Sequence, residues 1–336
     1  MKAFVLDQYK KNSALRFADV AEPLLRDDEV LIQVHATSVN LLDAKIRDGE
    51  FKAFLKYKLP LVLGHDVAGT VVRAGSQVSK FKIGDEVYAR PDDFSIGTFA
   101  EFIAVKEASV APKPKSLSME EAASIPLVGL TAWQALVEIA KLRAGQKVFI
   151  QAGSGGVGTF AIQLAKHMGA YVATTTSSAN VEWVKRLGAD VVIDYKQQDF
   201  ETILRDYDVV LNSQDAKTLE KSLHILRPGG KLVSISGPPT PTFASQINAP
   251  WYLKLIMGAL SRGIRKKAKQ RNVDFDFLFM KANGKQLREI TSLIDKGHIR
   301  PVIDRVFPFS QTNEAIAYVE AGRVKGKVVV QVKGTI

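Results

Sequence analysis

From about residue 145 the hydrophobic positions switch repeatedly between two periods. The runs KVFIQ, YVATTT, DVVIDY, DVVLN and KLVSI are short and rich in β-branched residues. Between them lie TFAIQLAKHMG, ANVEWVKRLGA and TLEKSLHILRPGG, whose apolar residues recur at helical spacing. Strand and helix in alternation predict βαβ units around a parallel sheet. Residues 1–120 read differently. Val30–Val34 and Val67–Val72 are β-branched runs bounded by turn signals, and Gly64, Gly69, Gly75, Gly84 and Gly97 punctuate the segment. This spacing predicts a small barrel-like domain of short strands. The polar connector Lys113–Ser118 leads into MEEAASIPLVGLTAWQALVEIA, which predicts a helix with Ser118 as its N-cap. After the alternating region, residues 249–271 run from an apolar stretch into six basic residues between Arg262 and Arg271. VDFDFLFMK then predicts a strand and GKQLREITSLIDKG an amphipathic helix ended by Gly297. A strand near Pro301–Pro308, a helix over Gln311–Gly322 and a last strand, KVVVQV, complete an α/β chain.

Composition narrows the reading. A length of 336 residues suggests two domains. No apolar run reaches the roughly 18 residues needed to span a bilayer, and MKAFVLDQYK has no apolar signal core, so a cytoplasmic protein is expected. The absence of cysteine excludes disulfides, cysteine nucleophiles and cysteine-ligated metals. The net charge of +11 suits a polyanionic cofactor, an anionic membrane surface or nucleic acid.

The chemistry is concentrated at Gly153-Ser-Gly155-Gly-Val-Gly158. This GxGxxG run follows the strand KVFIQA and opens the helix TFAIQLAKHMG, the context that the dinucleotide fingerprint requires. Gly153 permits the tight turn, Gly155 lets backbone approach a pyrophosphate, and Gly158 lets helix and strand pack closely. The free N–H groups at the helix start then bind the diphosphate. A site for NAD places Asp or Glu after the next strand, on the ribose 2′-OH. Here YVATTTSSAN offers hydroxyls at Thr175, Thr176, Ser177 and Ser178, with Asn180 nearby and no acid before Glu182. That composition favours the 2′-phosphate of NADPH.

Taken in order, VNLLDAKIRDG (39–49), PLVLGHDVAGTVVRAGSQVSKFKIGDEVYA (60–89), GTFAEFIAV (97–105), AASIPLVGLTAW (122–133), AGSGGVG (152–158), RLGADVVIDY (186–195), LRPGGKLVSISG (226–237) and GRVKGKVVV (322–330) span nearly the whole chain. On these segments the chain resembles the zinc-free quinone oxidoreductase branch of the medium-chain dehydrogenase/reductase superfamily, with its plant enone oxidoreductases. The resemblance implies a GroES-like catalytic domain over 1–121, completed by 298–336, and a Rossmann NADP-binding domain over 122–297. It places the active site in the cleft between them and implies a homodimer or another homo-oligomer. Zinc-dependent relatives bind their catalytic metal through Cys, His and Cys. Here the histidine position is His65, while the cysteine positions fall at or near Asn40 and Val128, so no metal is expected and His65 reads as a hydrogen-bonded core residue.

The same resemblance assigns roles. Lys45, in NLLDAKIR, matches a lysine near cofactor and substrate. Thr131 and the loop residues Gly153, Gly155, Gly156, Val157 and Gly158 match cofactor contacts. Ser177, Ser178 and Asn180 match the 2′-phosphate loop, although the family usually has lysine where Asn180 stands. Tyr195 matches a tyrosine beside the adenosine phosphate, and Ile235 and Phe279 match positions that approach the nicotinamide. The implied reaction is hydride transfer to a quinone or to the C=C of an enone, with Lys45 and the Asn40 amide as donors to the carbonyl oxygen. The alternative is a non-catalytic NADPH-binding protein that contacts RNA or a membrane. The basic run lacks interleaved aromatics for base stacking, which makes nucleic acid the weaker partner. Trp251, Leu253, Leu255, Ile256 and Leu260, followed by that run, suit a peripheral membrane contact.

Overall fold

The computed structural model describes residues 1–53 and 55–333. The N-terminal region holds β1 (Lys2–Leu6), β2 (Arg16–Asp19), β3 (Glu29–Val39), α1 (Leu41–Arg47), β4 (Leu61–Val62), β5 (Asp66–Ala74), β6 (Glu86–Ala89), β7 (Phe102–Lys106), β8 (Val110–Pro112), α2 (Met119–Ala123) and α3 (Pro126–Trp133). The middle holds β9 (Lys147–Ile150), α4 (Gly156–His167), β10 (Tyr171–Thr176), α5 (Val181–Arg186), β11 (Val191–Asp194), α6 (Phe200–Ile203), β12 (Tyr207–Asn212), α7 (Ala216–Ile225), β13 (Leu226–Ser234), α8 (Pro241–Gln246), α9 (Trp251–Gln270) and β14 (Asp274–Phe277). The tail holds α10 (Gly284–Asp295), β15 (Ile303–Pro308), α11 (Thr312–Glu320) and β16 (Lys327–Gln331).

These elements form two compact units: Met1–Leu130 with the tail from Lys281, and Thr131–Met280. The divisions therefore fall at 130/131 and 280/281 rather than at the expected 121/122 and 297/298. Hydrogen bonds explain both shifts. Leu127 N donates to Asp66 Oδ1 at 2.7 Å, tying the start of α3 to β5. Tyr88 Oη donates to the Leu287 carbonyl at 2.7 Å, tying α10 to β6.

In the first unit β3 is the organising strand. It pairs antiparallel with β5, β7 and β16, and β15 and β16 run parallel at the sheet's end. Because it is covered on both faces, its burial does not alternate, and nine of its eleven residues are buried. Val30, Ile32, Val34, Val67, Val71, Val87 and Ile103 form the core beside it. The sequence pattern predicts one helix after Ser118, but the chain forms two. Ser118 does cap α2, with Glu121 N donating to its Oγ (3.2 Å) and Ser118 N to Glu121 Oε2 (2.9 Å). Pro126 then interrupts the helix, since it has no N–H to continue the ladder, and it sits instead at the first position of α3.

In the second unit the strand order is β11-β10-β9-β12-β13-β14, all parallel. Renumbered from β9, that is 3-2-1-4-5-6, the doubly wound order. Phe149, Ile193, Phe200, Tyr207, Val210, Leu219 and Leu223 fill one face of the sheet. The expected helix through TLEKSLHILRPGG stops at Ile225. Pro228 cannot continue it, and Leu226–Ser234 enters the sheet as β13 instead. In this order the crevice lies outside the carboxyl ends of β9 and β12, where strand direction of travel reverses.

Candidate active site

The loop between β9 and α4 shows why glycine is needed at some positions and not at others. Gly153 N donates to the Thr175 carbonyl at 2.8 Å, which pins the loop to β10. A Cβ on Gly153 would lie 2.3 Å from Thr174 Oγ1, and one on Gly158 would lie 2.2 Å from the Ala152 carbonyl oxygen. Ala152 itself takes a φ of 51°, a left-handed conformation that is uncommon for alanine. At Gly155 the situation differs: an added Cβ would meet only the Ala152 oxygen, at 3.4 Å. The protein's own packing therefore demands glycine at 153 and 158 but not at 155. The open side of Gly155 is the approach a diphosphate needs, and the N–H groups of Gly156, Val157 and Gly158 open α4, where no intrahelical acceptor exists.

A polar cluster stands at the carboxyl ends of β10 and β11, which pair in parallel with Thr176 opposite Asp194. Ser178 Oγ donates to Asp194 Oδ2 at 2.5 Å, and Lys196 N donates to Asp194 Oδ1 at 3.0 Å. Asn180 closes the turn: its Nδ2 donates to Ser177 Oγ at 3.1 Å and its Oδ1 accepts from Trp183 Nε1 at 2.9 Å. Tyr195 and Lys196 are exposed beside the cluster. Thr176 Oγ1 is buried with no hydrogen-bond partner. A ribose carrying a 2′-phosphate suits this ground through an exposed tyrosine and one adjacent lysine. The sequence reading missed Asp194 and Lys196, because their approach to Ser178 depends on the parallel pairing of β10 and β11 and not on spacing along the chain. The Asp194 carboxyl is held below its ordinary range, first by the Ser178 hydroxyl, so it is charged at neutral pH. A carboxylate here opposes a 2′-phosphate and occupies the Ser178 donor. Asp194→Asn is therefore expected to tighten binding of 2′,5′-ADP about threefold to tenfold and to leave 5′-AMP unchanged, as read by calorimetry. Equal gains for both nucleotides would remove Asp194 from the selectivity site.

The first unit contributes a buried polar network around β3, α1 and β16. Asp66 Oδ2 accepts from Ser38 Oγ (2.6 Å) and Asn40 Nδ2 (2.8 Å), while Lys327 Nζ donates to Asn40 Oδ1 (2.5 Å) and the Val39 carbonyl (3.1 Å). Lys327 is pulled below its ordinary pKa mainly by burial, with Asp66 acting in the opposite direction. His65 is buried as expected, with Nδ1 at 2.6 Å from Asp43 Oδ1, and its Nε2 has no partner. Asp43 Oδ2 also accepts from Asn40 N at 2.8 Å and so caps α1. The Asn40 amide is thus engaged from both ends. Its Nδ2 points to Asp66 and, at 3.4 Å, to the Ser38 carbonyl. Lys327 was not singled out from the sequence, since lysines are mostly exposed and a lysine opening a strand carries no signal of burial.

Lys45 lies on α1 with its side chain half-exposed and its Nζ 3.5 Å from Glu50 Oε2. An exposed pair of that length contributes little, so the ammonium is able to take another acceptor. Ile235 follows β13 at the carboxyl end of the sheet, its N donating to the Asn212 carbonyl at 2.9 Å. Phe279 packs on Phe243, with ring centroids 5.5 Å apart, and Thr131 is buried on α3.

A β-rich unit followed by a 3-2-1-4-5-6 sheet with this loop is the architecture of the medium-chain dehydrogenases/reductases. Comparison with known proteins agrees. An alcohol dehydrogenase GroES-like domain matches residues 26–115, and a zinc-binding dehydrogenase domain matches 187–330. The NAD(P)H oxidoreductase RTN4IP1, mitochondrial, of Mus musculus is 38% identical over 99% of this chain and 89% of its own length. The 2-methylene-furan-3-one reductase of Solanum lycopersicum is 37% identical over 98% of this chain and 79% of its own. The solved quinone oxidoreductase of Coxiella burnetii superposes with a TM-score of 0.86 at 32% identity, covering 99% of both chains. The chain belongs to the quinone and enone oxidoreductase branch of the medium-chain dehydrogenase/reductase superfamily. Zinc appears in the name of one matched domain, but this chain has no cysteine. Among the described residues no group of three or more His, Asp or Glu is placed to hold a metal ion.

Proposed function

We propose that this protein reduces the C=C of an α,β-unsaturated carbonyl, or a quinone, with hydride supplied by NADPH. The observation that carries the reading is the glycine loop, where the protein's own packing demands glycine at 153 and 158 but leaves Gly155 open. Hydride adds to the β-carbon of an enone, negative charge develops on the carbonyl oxygen, and water supplies the proton to the α-carbon. With a quinone, two electrons and two protons give the hydroquinone. Lys45 is the proposed donor to the carbonyl oxygen. Asn40, its amide already committed, acts by fixing the entry to α1, which carries Lys45. The names of the relatives from Solanum lycopersicum and Coxiella burnetii support the two substrate classes.

The test is a panel of enones, alkenals, quinones and alcohols, followed at the reduced-nicotinamide band with NADPH and with NADH. Oxidation of NADPH by enones or quinones, unchanged by chelator, is the expected result. Tight NADPH binding with no turnover across the panel would favour the non-catalytic alternative. Lys45→Ala is expected to lower kcat about a hundredfold, the effect of removing one donor aimed at a developing oxyanion. Unchanged turnover and NADPH affinity would reject that role.

The proposed partners beyond a small-molecule substrate are a second copy of the chain, as a homodimer, and a membrane surface met through 249–271. The proposed location is the cytoplasm, with which a cysteine-free chain is compatible. The mitochondrial label belongs to the relative from Mus musculus. Sedimentation tests the homodimer and a fluorescent fusion tests the location.

A further inference from the structure

The twenty residues of α9 divide into three surfaces. Met257, Ser261 and Ala268 are buried against the second unit. Around the other side, Trp251, Tyr252, Leu255, Ile256 and Leu260 face outward in a continuous stripe, with Trp251 75% and Leu255 65% exposed. The spacing 251, 252, 255, 256, 260 keeps all five on one side of a helix of 3.6 residues per turn. In the last two turns the outward positions become Arg262, Lys266 and Lys269, continued by Arg271 at the C-cap. None of these four cations has an acidic partner among the described residues, and residues 249–271 contain no Asp or Glu. Among the described residues no helix is long and apolar enough to cross a membrane.

We propose that α9 docks this protein on the surface of an anionic phospholipid bilayer, its first half inserting the apolar stripe among the acyl chains and its second half binding headgroup phosphates. The inference deepens the membrane reading of 249–271 and rests on it. An apolar stripe set in line with unpaired cations is the arrangement of helices that lie in the interface, and each cation near an anionic leaflet adds to the attraction. Charge selects this occupant over a second copy of the chain. Lys267 pairs with Glu220, but parallel stripe-to-stripe packing of two copies would set Arg262, Lys266, Lys269 and Arg271 of each against those of the other, and antiparallel packing would leave the same four cations without the counter-charge that headgroup phosphates supply. RNA fits less well, because the two aromatics lie at the far end of the helix from the basic cluster and cannot interleave with it.

The experiment is flotation of the full-length protein with vesicles of phosphatidylcholine, with and without phosphatidylserine, at low and high salt. Leu255→Ser/Ile256→Ser and Arg262→Glu/Lys266→Glu are run alongside the unaltered protein. Phosphatidylserine is expected to raise binding at least about tenfold, since each exposed cation near an anionic leaflet adds to the attraction. Each double variant should lose most of that gain while oxidising NADPH normally with a soluble substrate. Equal binding to both vesicle types would keep the membrane contact and overturn the anionic chemistry. Absence of binding to either would overturn both. A change from dimer to monomer in the Leu255→Ser/Ile256→Ser variant would assign the stripe to a second copy and overturn the proposal. Salt-sensitive RNA binding lost with Arg262→Glu/Lys266→Glu would overturn it as well. None of these outcomes touches the hydride-transfer reading, which is scored on the soluble substrate.

Discussion

Gly158→Ala is expected to abolish measurable NADPH binding and to destabilise the second unit, whereas Gly155→Ala is expected to abolish binding with the fold intact. The difference lies in what each new methyl group meets. At Gly158 it would fall 2.2 Å from the Ala152 oxygen, 2.8 Å from Gly153 Cα and 2.9 Å from the Ala152 carbonyl carbon. All three are backbone atoms, so relief requires the loop to move away from α4. Forcing a methyl into packed surroundings costs about 1–3 kcal/mol. For a unit of roughly 150 residues each kcal/mol lowers Tm by about 2–4 °C. The same movement displaces the N–H groups that a diphosphate would bind. At Gly155 the backbone has an ordinary extended conformation and the methyl would make a single contact of 3.4 Å, so alanine folds without strain. Its methyl then occupies the side from which a pyrophosphate approaches. Thermal melts and calorimetry with NADPH separate the two. If Gly155→Ala binds NADPH normally, the diphosphate does not lie over this loop and the cofactor assignment fails at its centre.

Much of this site can be read directly from the chain, because its logic is local. A strand, a glycine-spaced turn and a helix are consecutive in sequence, and the turn is recognisable without knowing what surrounds it. The absence of acid from Tyr171 to Val181 is equally visible. What the sequence does not display are the partnerships set by topology. Asp194 reaches Ser178 only because β11 pairs beside β10. Asp66, Asn40 and Lys327 come from opposite ends of the chain and meet because β3 pairs with both β5 and β16. Helix ends are hidden for a related reason. Apolar periodicity continues through Pro126 and up to Pro228, but proline's missing N–H ends the hydrogen-bond ladder where hydrophobicity alone does not. His65 illustrates the opposite case: the missing cysteines are enough to read it as a hydrogen-bonded core residue, and only the fold shows that its partner is Asp43.

Lys327→Met is expected to cost about 3–5 kcal/mol of stability, the penalty for leaving one member of a buried ion pair without its partner. Lys327 and Asp66 are both buried, with Nζ 3.5 Å from Oδ2, and the ammonium also bridges Asn40 and Val39. Methionine fills the volume but donates nothing, so Asn40 Oδ1 and the Asp66 carboxylate lose a cation together. Adding Asp66→Asn should recover part of the loss, and a double-mutant cycle by urea unfolding measures the coupling. The dependence on pH has a definite sign. Burial lowers the folded-state pKa of Lys327 beneath its ordinary value near 10.5. Between the folded and unfolded pKa values the unfolded chain holds more protons, so this group's contribution to stability rises with pH across that interval. The advantage of the unaltered protein over Lys327→Met should therefore widen as pH is raised from neutrality towards about 10; a narrowing gap would mean that Asp66 outweighs burial. A functional consequence accompanies the stability loss. Lys327 fixes Asn40 at the entry to α1, and α1 carries Lys45, so turnover should fall about tenfold, roughly 1.4 kcal/mol of barrier. NADPH affinity should hold, since the glycine loop belongs to the other unit. Loss of affinity in equal measure would show that the variant acts through general unfolding and not through the position of Lys45.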